Sequence, residues 1–250
     1  MPRVVGIIGY KNSGKTTLTS ALARELIGRG HEVAVVKHLS HHVDLPEKDT
    51  AVLGSVAGQV GFISPQASGV FWKKQLSLED VIPYLEADII LVEGFKTEKT
   101  FPKVVCLHGK PDDERGRWED LFDGLAICAV APSEIVAEMS LPWLDELGIP
   151  LFDRDDVRKV ADLVEQKAFK LPDLDCGGCG HERCYDLARE IVAGNGSPED
   201  CVSLQPDTEI RVDGKPVPMN PFIAGMMRST ILGMLSSLKG FKKGKIEIKL

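Results

Sequence analysis

The stretch RVVGIIGYKNSGKTTLTSALARELIGRG, residues 3–30, decides the fold. RVVGIIG is short, apolar and rich in β-branched residues, which predicts a strand, and TTLTSALARELIGRG has helical periodicity. Between them Gly9-Tyr10-Lys11-Asn12-Ser13-Gly14-Lys15-Thr16 fits the pattern G-x-x-x-x-G-K-[ST] in the strand-to-helix setting that gives the pattern its meaning. Glycines let the backbone curl so that successive N–H groups point at phosphate oxygens, and the following helix adds its positive end. Gly9, Asn12, Ser13, Gly14, Lys15, Thr16 and Thr17 are therefore the candidate nucleotide and Mg²⁺ contacts. Lys15 is expected to bridge the β and γ phosphates and to act in catalysis, and Thr16 to place its hydroxyl on Mg²⁺.

Working outward, short apolar runs alternate with helix-periodic segments as far as residue 167: EVAVVKH, ADIILVEG, KVVCLHG, LAICAVAP, IPLFD and DDVRKVADLVEQK. That rhythm predicts an α/β fold of the P-loop NTPase type, a mostly parallel sheet with helices on both faces. Glu93 ends the run DIILVE at the edge where an open parallel sheet meets its ligand, so it is the candidate acid on the metal side, a purely structural role being the alternative. Three histidines and several acids between residues 38 and 49 suit a polar switch loop better than a tetrahedral metal set. Lys37, His38, Asp44, Lys48 and Asp49 would then face the nucleotide or a second substrate, with Asp49 the candidate for orienting water or Mg²⁺.

Length, charge and composition narrow the classes. A chain of 250 residues accommodates two modest cores, and a formal charge of −7 without a basic half argues against a nucleic-acid partner. No apolar run reaches the ~20 residues of a membrane span. The apolar start is too short for a secretory signal and flows into the phosphate loop, so a cytoplasmic protein is expected. The aperiodic, proline-containing FKLPDLD reads as a linker, giving an expected nucleotide domain at 1–168 and a second domain at 171–250. The second domain should be a small α+β unit: a helix in ERCYDLAREIVAG, a hairpin about Asp213-Gly214, a helix in MNPFIAGMMRSTILGMLSSLKG and a final strand KIEIKL.

The phosphate loop, the KH…HH.D…KDT segment and DIILVEGFK together resemble the MobB family, the molybdopterin-guanine dinucleotide biosynthesis adaptors, over residues 1 to 165. The resemblance implies GTP binding with weak hydrolysis, a homodimer, and assistance to the guanylyltransferase of molybdenum or tungsten cofactor synthesis or to its target oxidoreductase. It carries across Gly14, Lys15, Thr16, His38, His42, Lys48, Asp49 and Glu93.

Four of the six cysteines, Cys176, Cys179, Cys184 and Cys201, fall in one short segment that opens CGGCGHERC, whereas Cys106 and Cys128 sit in apolar runs as small buried hydrophobes. Structural zinc usually draws two separated ligand pairs, and no second pair occurs here. A [4Fe–4S] cubane needs four converging thiolates on a glycine-rich backbone with N–H groups free for cluster sulfurs, which Gly177, Gly178 and Gly180 permit. The cubane is favoured over zinc, with a redox dithiol third. CGGCGHERCYDLAREIVAGNGSPEDC also resembles the small 4Fe-4S domain of the corrinoid iron-sulfur protein, which implies an anaerobic setting. The expected function is a GTP-binding adaptor carrying a [4Fe–4S] cluster. The rival is a nucleotide-gated electron-transfer or cluster-delivery protein.

Overall fold

The computed structural model describes residues 2–39, 48–109, 112–113, 116–138, 141–205, 208–212, 214–241 and 246. Strand β1 (Arg3–Gly9) leads into helix α1 (Lys15–Gly28), followed by β2 (Val33–Lys37), α2 (Lys48–Val56), β3 (Gln59–Ile63), β4 (Ser68–Trp72), α3 (Leu78–Val81) and β5 (Ile89–Glu93). Next come β6 (Lys103–Cys106), the two-residue strands β7 (Asp112–Asp113) and β8 (Gly116–Arg117), β9 (Ala126–Ala131), α4 (Ser133–Glu138), α5 (Pro142–Glu146), β10 (Leu151–Asp153) and α6 (Val157–Lys167). The C-terminal part holds α7 (Cys184–Ala193), β11 (Arg211–Val212), β12 (Lys215–Pro216) and α8 (Pro221–Ser236).

The main sheet has the order β10-β9-β6-β1-β5-β2, and each neighbouring pair is parallel. The expected α/β class is what the chain adopts. Because side chains alternate along a strand, β1 sends Val5 and Ile7 to one face and Val4 and Ile8 to the other. The first face packs on Leu18, Leu22 and Leu26 of α1 and on Val160, Ala161 and Val164 of α6. The second is covered by Trp118, Leu121, Leu141 and Leu144 near β6 and β9, and by Leu78 and Phe101 near β5. Burial of both faces explains why these strands read as unbroken apolar runs.

Two details depart from the sequence reading. The antiparallel hairpin of β3 and β4 was not expected, since Gly61 and Gly69 interrupt its alternation. Lys48 and Asp49 stand at the head of α2 rather than in a loop, their side chains lying outside the described part, as do His42 and Asp44. The hairpin about Gly214 is present as β11 and β12, and the final KIEIKL strand lies outside the described residues apart from Ile246.

The stretch expected as a linker is buried. Phe169, Lys170 and Leu171 are shielded, the Leu171 N–H donates to the Thr100 carbonyl (2.9 Å), and Lys170 Nζ reaches Thr100 Oγ1 (2.7 Å) and Glu79 Oε1 (2.9 Å). Phe169 and Leu171 join Leu125, just before β9, in one core with Cys184, Leu187, Ala188 and Cys201. The Tyr185 hydroxyl donates to the Asp123 carbonyl at 2.5 Å, and Arg189 lies so close to Gly124 that a Cβ there would meet its Nε at 2.7 Å. Helix α6 ends at Lys167 with Ala168 already extended, ahead of the proline that suggested a tether, and the apolar residues between them find partners on the sheet domain.

Candidate functional site

The loop after β1 has the backbone its glycines allow. Gly9 has φ +153° and runs so close to β6 that a Cβ would stand 2.5 Å from the Cys106 carbonyl oxygen, while Asn12 and Gly14 take left-handed φ of 64° and 83°. Ser13 is 2% exposed, and its Oγ has no hydrogen-bond partner among the described residues, an unsatisfied group that a phosphate oxygen would satisfy. Asn12 and Thr17 are exposed at the mouth of the loop. Lys15 Nζ donates to the Tyr10 carbonyl at 2.6 Å. Burial holds the Lys15 ammonium below its usual range, with Lys37 pushing the same way against Cys106 and Glu93. Lys96, whose Nζ stands 4.1 Å from the Tyr10 ring centre, is lowered by burial and then by Lys15.

Strands β2 and β5 and the first turn of α1 bring the remaining polar groups together at the carboxyl edge of the sheet. Glu93 ends β5 and is buried, yet its Oε1 accepts from Thr16 Oγ1 at 2.7 Å and from Lys37 Nζ at 2.8 Å. Lys37 Nζ also reaches Thr16 Oγ1 at 3.0 Å. Neighbouring oxygens on a Mg²⁺ ion, each at about 2.1 Å, stand roughly 3 Å apart, so the Thr16 and Glu93 oxygens have the spacing of two adjacent ligands. The His38 ring lies edge-on to Phe95 at 5.0 Å between centres, and the His38 backbone N–H donates to the Glu93 carbonyl.

Sequence reasoning missed Tyr10, Lys96 and Arg154. Arg154 follows β10, and its Nη2 donates to the Ser13 carbonyl at 3.3 Å. The available signal was its place just after a strand that ends at the sheet's ligand edge.

The cysteines divide as their surroundings dictate. Cys106 and Cys128 are buried in the sheet, and burial pushes the Cys106 thiol up to about 12, which makes it an inert core group. Cys184 opens α7, its N–H donating to Asp175 Oδ1 at 2.6 Å, and packs with Cys201 and the half-buried Cys179 in one core. Burial raises the Cys184 and Cys201 thiols, while Cys176 Sγ lies 3.5 Å from Ser203 Oγ. The positive φ of Gly177 and Gly180 bends the chain between these cysteines, and Gly178 abuts Val202 and Pro221 with no room for a Cβ. Among the described residues no three His, Cys, Asp or Glu side chains form a ready-made metal cage. The donor set still fits an iron-sulfur group: four thiols on one small unit, two of them desolvated, become thiolates when metal takes the place of their protons.

A parallel sheet whose first strand feeds a phosphate loop and helix, with acid and lysine from adjoining strands at its mouth, defines the P-loop NTPase class. The family model "Molybdopterin guanine dinucleotide synthesis protein B" matches residues 4–129, and "Putative Fe-S cluster" matches residues 171–203. A Methanocaldococcus jannaschii protein named "Putative molybdopterin-guanine dinucleotide biosynthesis adapter protein" is 30% identical over 98% of this chain and 97% of its own. The Escherichia coli "Molybdopterin-guanine dinucleotide biosynthesis adapter protein" is 28% identical over 64% of this chain and 90% of its own. The crystal structure of Bacillus subtilis MobB superposes with a TM-score of 0.50 at 24% identity, covering 66% of this chain and 98% of that one, a likeness of fold. The chain belongs to the MobB family and carries an Fe-S domain at its C-terminal side.

Proposed function

We propose that this protein is a GTP-binding adapter of molybdopterin-guanine dinucleotide biosynthesis with weak GTPase activity, built from a nucleotide domain at 1–168 and a [4Fe–4S] domain at 171–250. The observation that carries the nucleotide reading is the meeting of Thr16 and Glu93 at 2.7 Å beside a loop whose Ser13 hydroxyl lacks a partner. In this reading the N–H groups of residues 12 to 16 cradle the phosphates and Lys15 leaves the Tyr10 carbonyl for the β and γ oxygens. Thr16 and Glu93 would hold Mg²⁺, which would supply charge neutralisation when bound. Asp49 orients the attacking water, and hydrolysis is slow until a partner completes the site. Cys176, Cys179, Cys184 and Cys201 would hold the cluster, which supplies either a redox centre or a rigid docking element when bound. The partners are the guanylyltransferase and the molybdenum or tungsten enzyme it serves, and the working form is a cytoplasmic homodimer.

Calorimetry of anaerobically purified protein with GTP, GDP and ATP, with and without Mg²⁺, tests this reading. Guanine-nucleotide binding strengthened by Mg²⁺ in the native protein, and lost in Lys15→Ala, is expected. Absence of heat with every nucleotide refutes it.

One observation favours the rival, nucleotide-gated electron transfer. Lys103 Nζ, beneath the site, donates both to the Lys96 carbonyl (2.8 Å) and to Asp123 Oδ2 (2.6 Å), and Asp123 receives Tyr185 next to the ligand Cys184. A cluster potential that shifts on GTP binding would support gating, and an unchanged potential would exclude it.

A further inference from the structure

Arg154 lies on the flank of the phosphate loop opposite Glu93. The sheet order puts β5 and β2, which supply Glu93 and Lys37, on one side of β1, and β6, β9 and β10, which lead to Arg154, on the other. Its guanidinium packs against the loop so closely that a Cβ on Gly14 would stand 2.7 Å from Cζ. Ordinarily a cation avoids this place, since the N-terminus of α1 carries the positive end of the helix dipole and Lys15 sits in its first turn. Among the described residues Arg154 has no salt-bridge partner. The neighbouring Asp153 carboxylate instead accepts the Asp155 N–H at 2.9 Å. A guanidinium held by one carbonyl, over a loop with an unsatisfied Ser13 hydroxyl, is arranged for an anion.

The position tells which part of the anion it meets. Thr16, Glu93 and Lys37 mark the end where Mg²⁺ and the terminal phosphates belong, so the phosphate chain crosses the loop toward β9 and β10 and leaves with its α-phosphate beside Arg154. We propose that Arg154 is a binding residue that clamps the α-phosphate of the nucleotide, in contrast to an arginine finger acting on the γ-phosphate. This rests on the nucleotide reading above.

The two roles separate experimentally, because GTP and GDP share the α-phosphate and differ in the γ. Fluorescent-nucleotide titration of Arg154→Ala should show the Kd for GTP and GDP raised by the same factor, about tenfold or more, as expected for losing a charge-assisted hydrogen bond. A loss confined to GTP, or unchanged affinity for both nucleotides, would overturn the assignment. Should the alanine variant fail to fold, Arg154→Gln, neutral and of similar length, decides by the same outcomes. Wild-type protein that binds neither nucleotide removes the nucleotide reading and the clamp together, whereas wild-type binding with an indifferent variant removes the clamp alone.

Discussion

Replacing Asp123 with asparagine tests the energetics of the joint between the two parts of the chain. Lys103 is 0% exposed in β6, and its ammonium has two acceptors, Asp123 Oδ2 at 2.6 Å and the Lys96 carbonyl at 2.8 Å. Burial lowers its pKa, and among the described residues the Asp123 carboxylate is the main compensating charge, by hydrogen bond and by field, with a smaller contribution from Glu98. Lys99 adds a second, half-exposed contact to Asp123 at 2.6 Å. Removing one partner of a buried pair leaves the other charge uncompensated, at a cost of about 3–5 kcal/mol. Asp123 keeps a 17% exposed side chain, so the lower end applies to Asp123→Asn, about 3 kcal/mol. In a chain of this size that lowers Tm by roughly 6–12 °C. Lys103→Met removes the buried charge itself, fills similar volume and leaves Asp123 with Lys99, so its cost should stay below about 1.5 kcal/mol. The double variant should then be more stable than Asp123→Asn alone. Denaturant unfolding of all four proteins, followed by tryptophan fluorescence, gives these differences. A cost below about 1 kcal/mol for Asp123→Asn, or no recovery in the double variant, would refute the account of a buried charge held by one carboxylate.

The same pair predicts a pH dependence. Burial alone would raise the Asp123 carboxyl, but hydrogen bonds from Lys103 and Lys99 outweigh it and hold the pKa below the usual range. Its stabilisation is therefore present above the unfolded carboxyl's pKa and lost as pH falls through the folded one, so acid titration of stability should be shallower in Asp123→Asn. Gly9→Ala must push apart β1 and β6 and adopt a φ that L residues avoid, so a loss of about 3 kcal/mol in thermal unfolding is expected together with loss of nucleotide binding. Cys201→Ser, inside the core around α7, should abolish iron retention and visible absorption in anaerobically purified protein while leaving nucleotide affinity within twofold, as elemental analysis and titration would report.

The parts legible in the sequence are those governed by local pattern. Burial on both faces leaves a strand as an apolar run, and the loop between β1 and α1 requires glycine where φ is positive, so the sheet and its first turn announce themselves. Glu93 was legible because it ends such a run. What stayed hidden depends on pairing across the chain. Lys37 and Thr16 are 21 residues apart, and Arg154 and Ser13 are 141 apart, so nothing near either partner encodes their meeting. The β3–β4 hairpin was obscured by glycines within its strands. The linker reading failed on its flanks, because Phe169 and Leu171 are apolar for a reason that becomes visible only when Leu125 and α7 stand opposite them.

That seam determines how the thiols can be reached. Leu171 is stitched to Thr100, Tyr185 to Asp123, and the core around Cys184 and Cys201 includes residues that lead into β9. The cysteine-bearing segment is therefore packed on the sheet domain and not tethered beside it. A molecule held at the sulfur-bearing end would stand at a distance from the phosphate loop set by that packing.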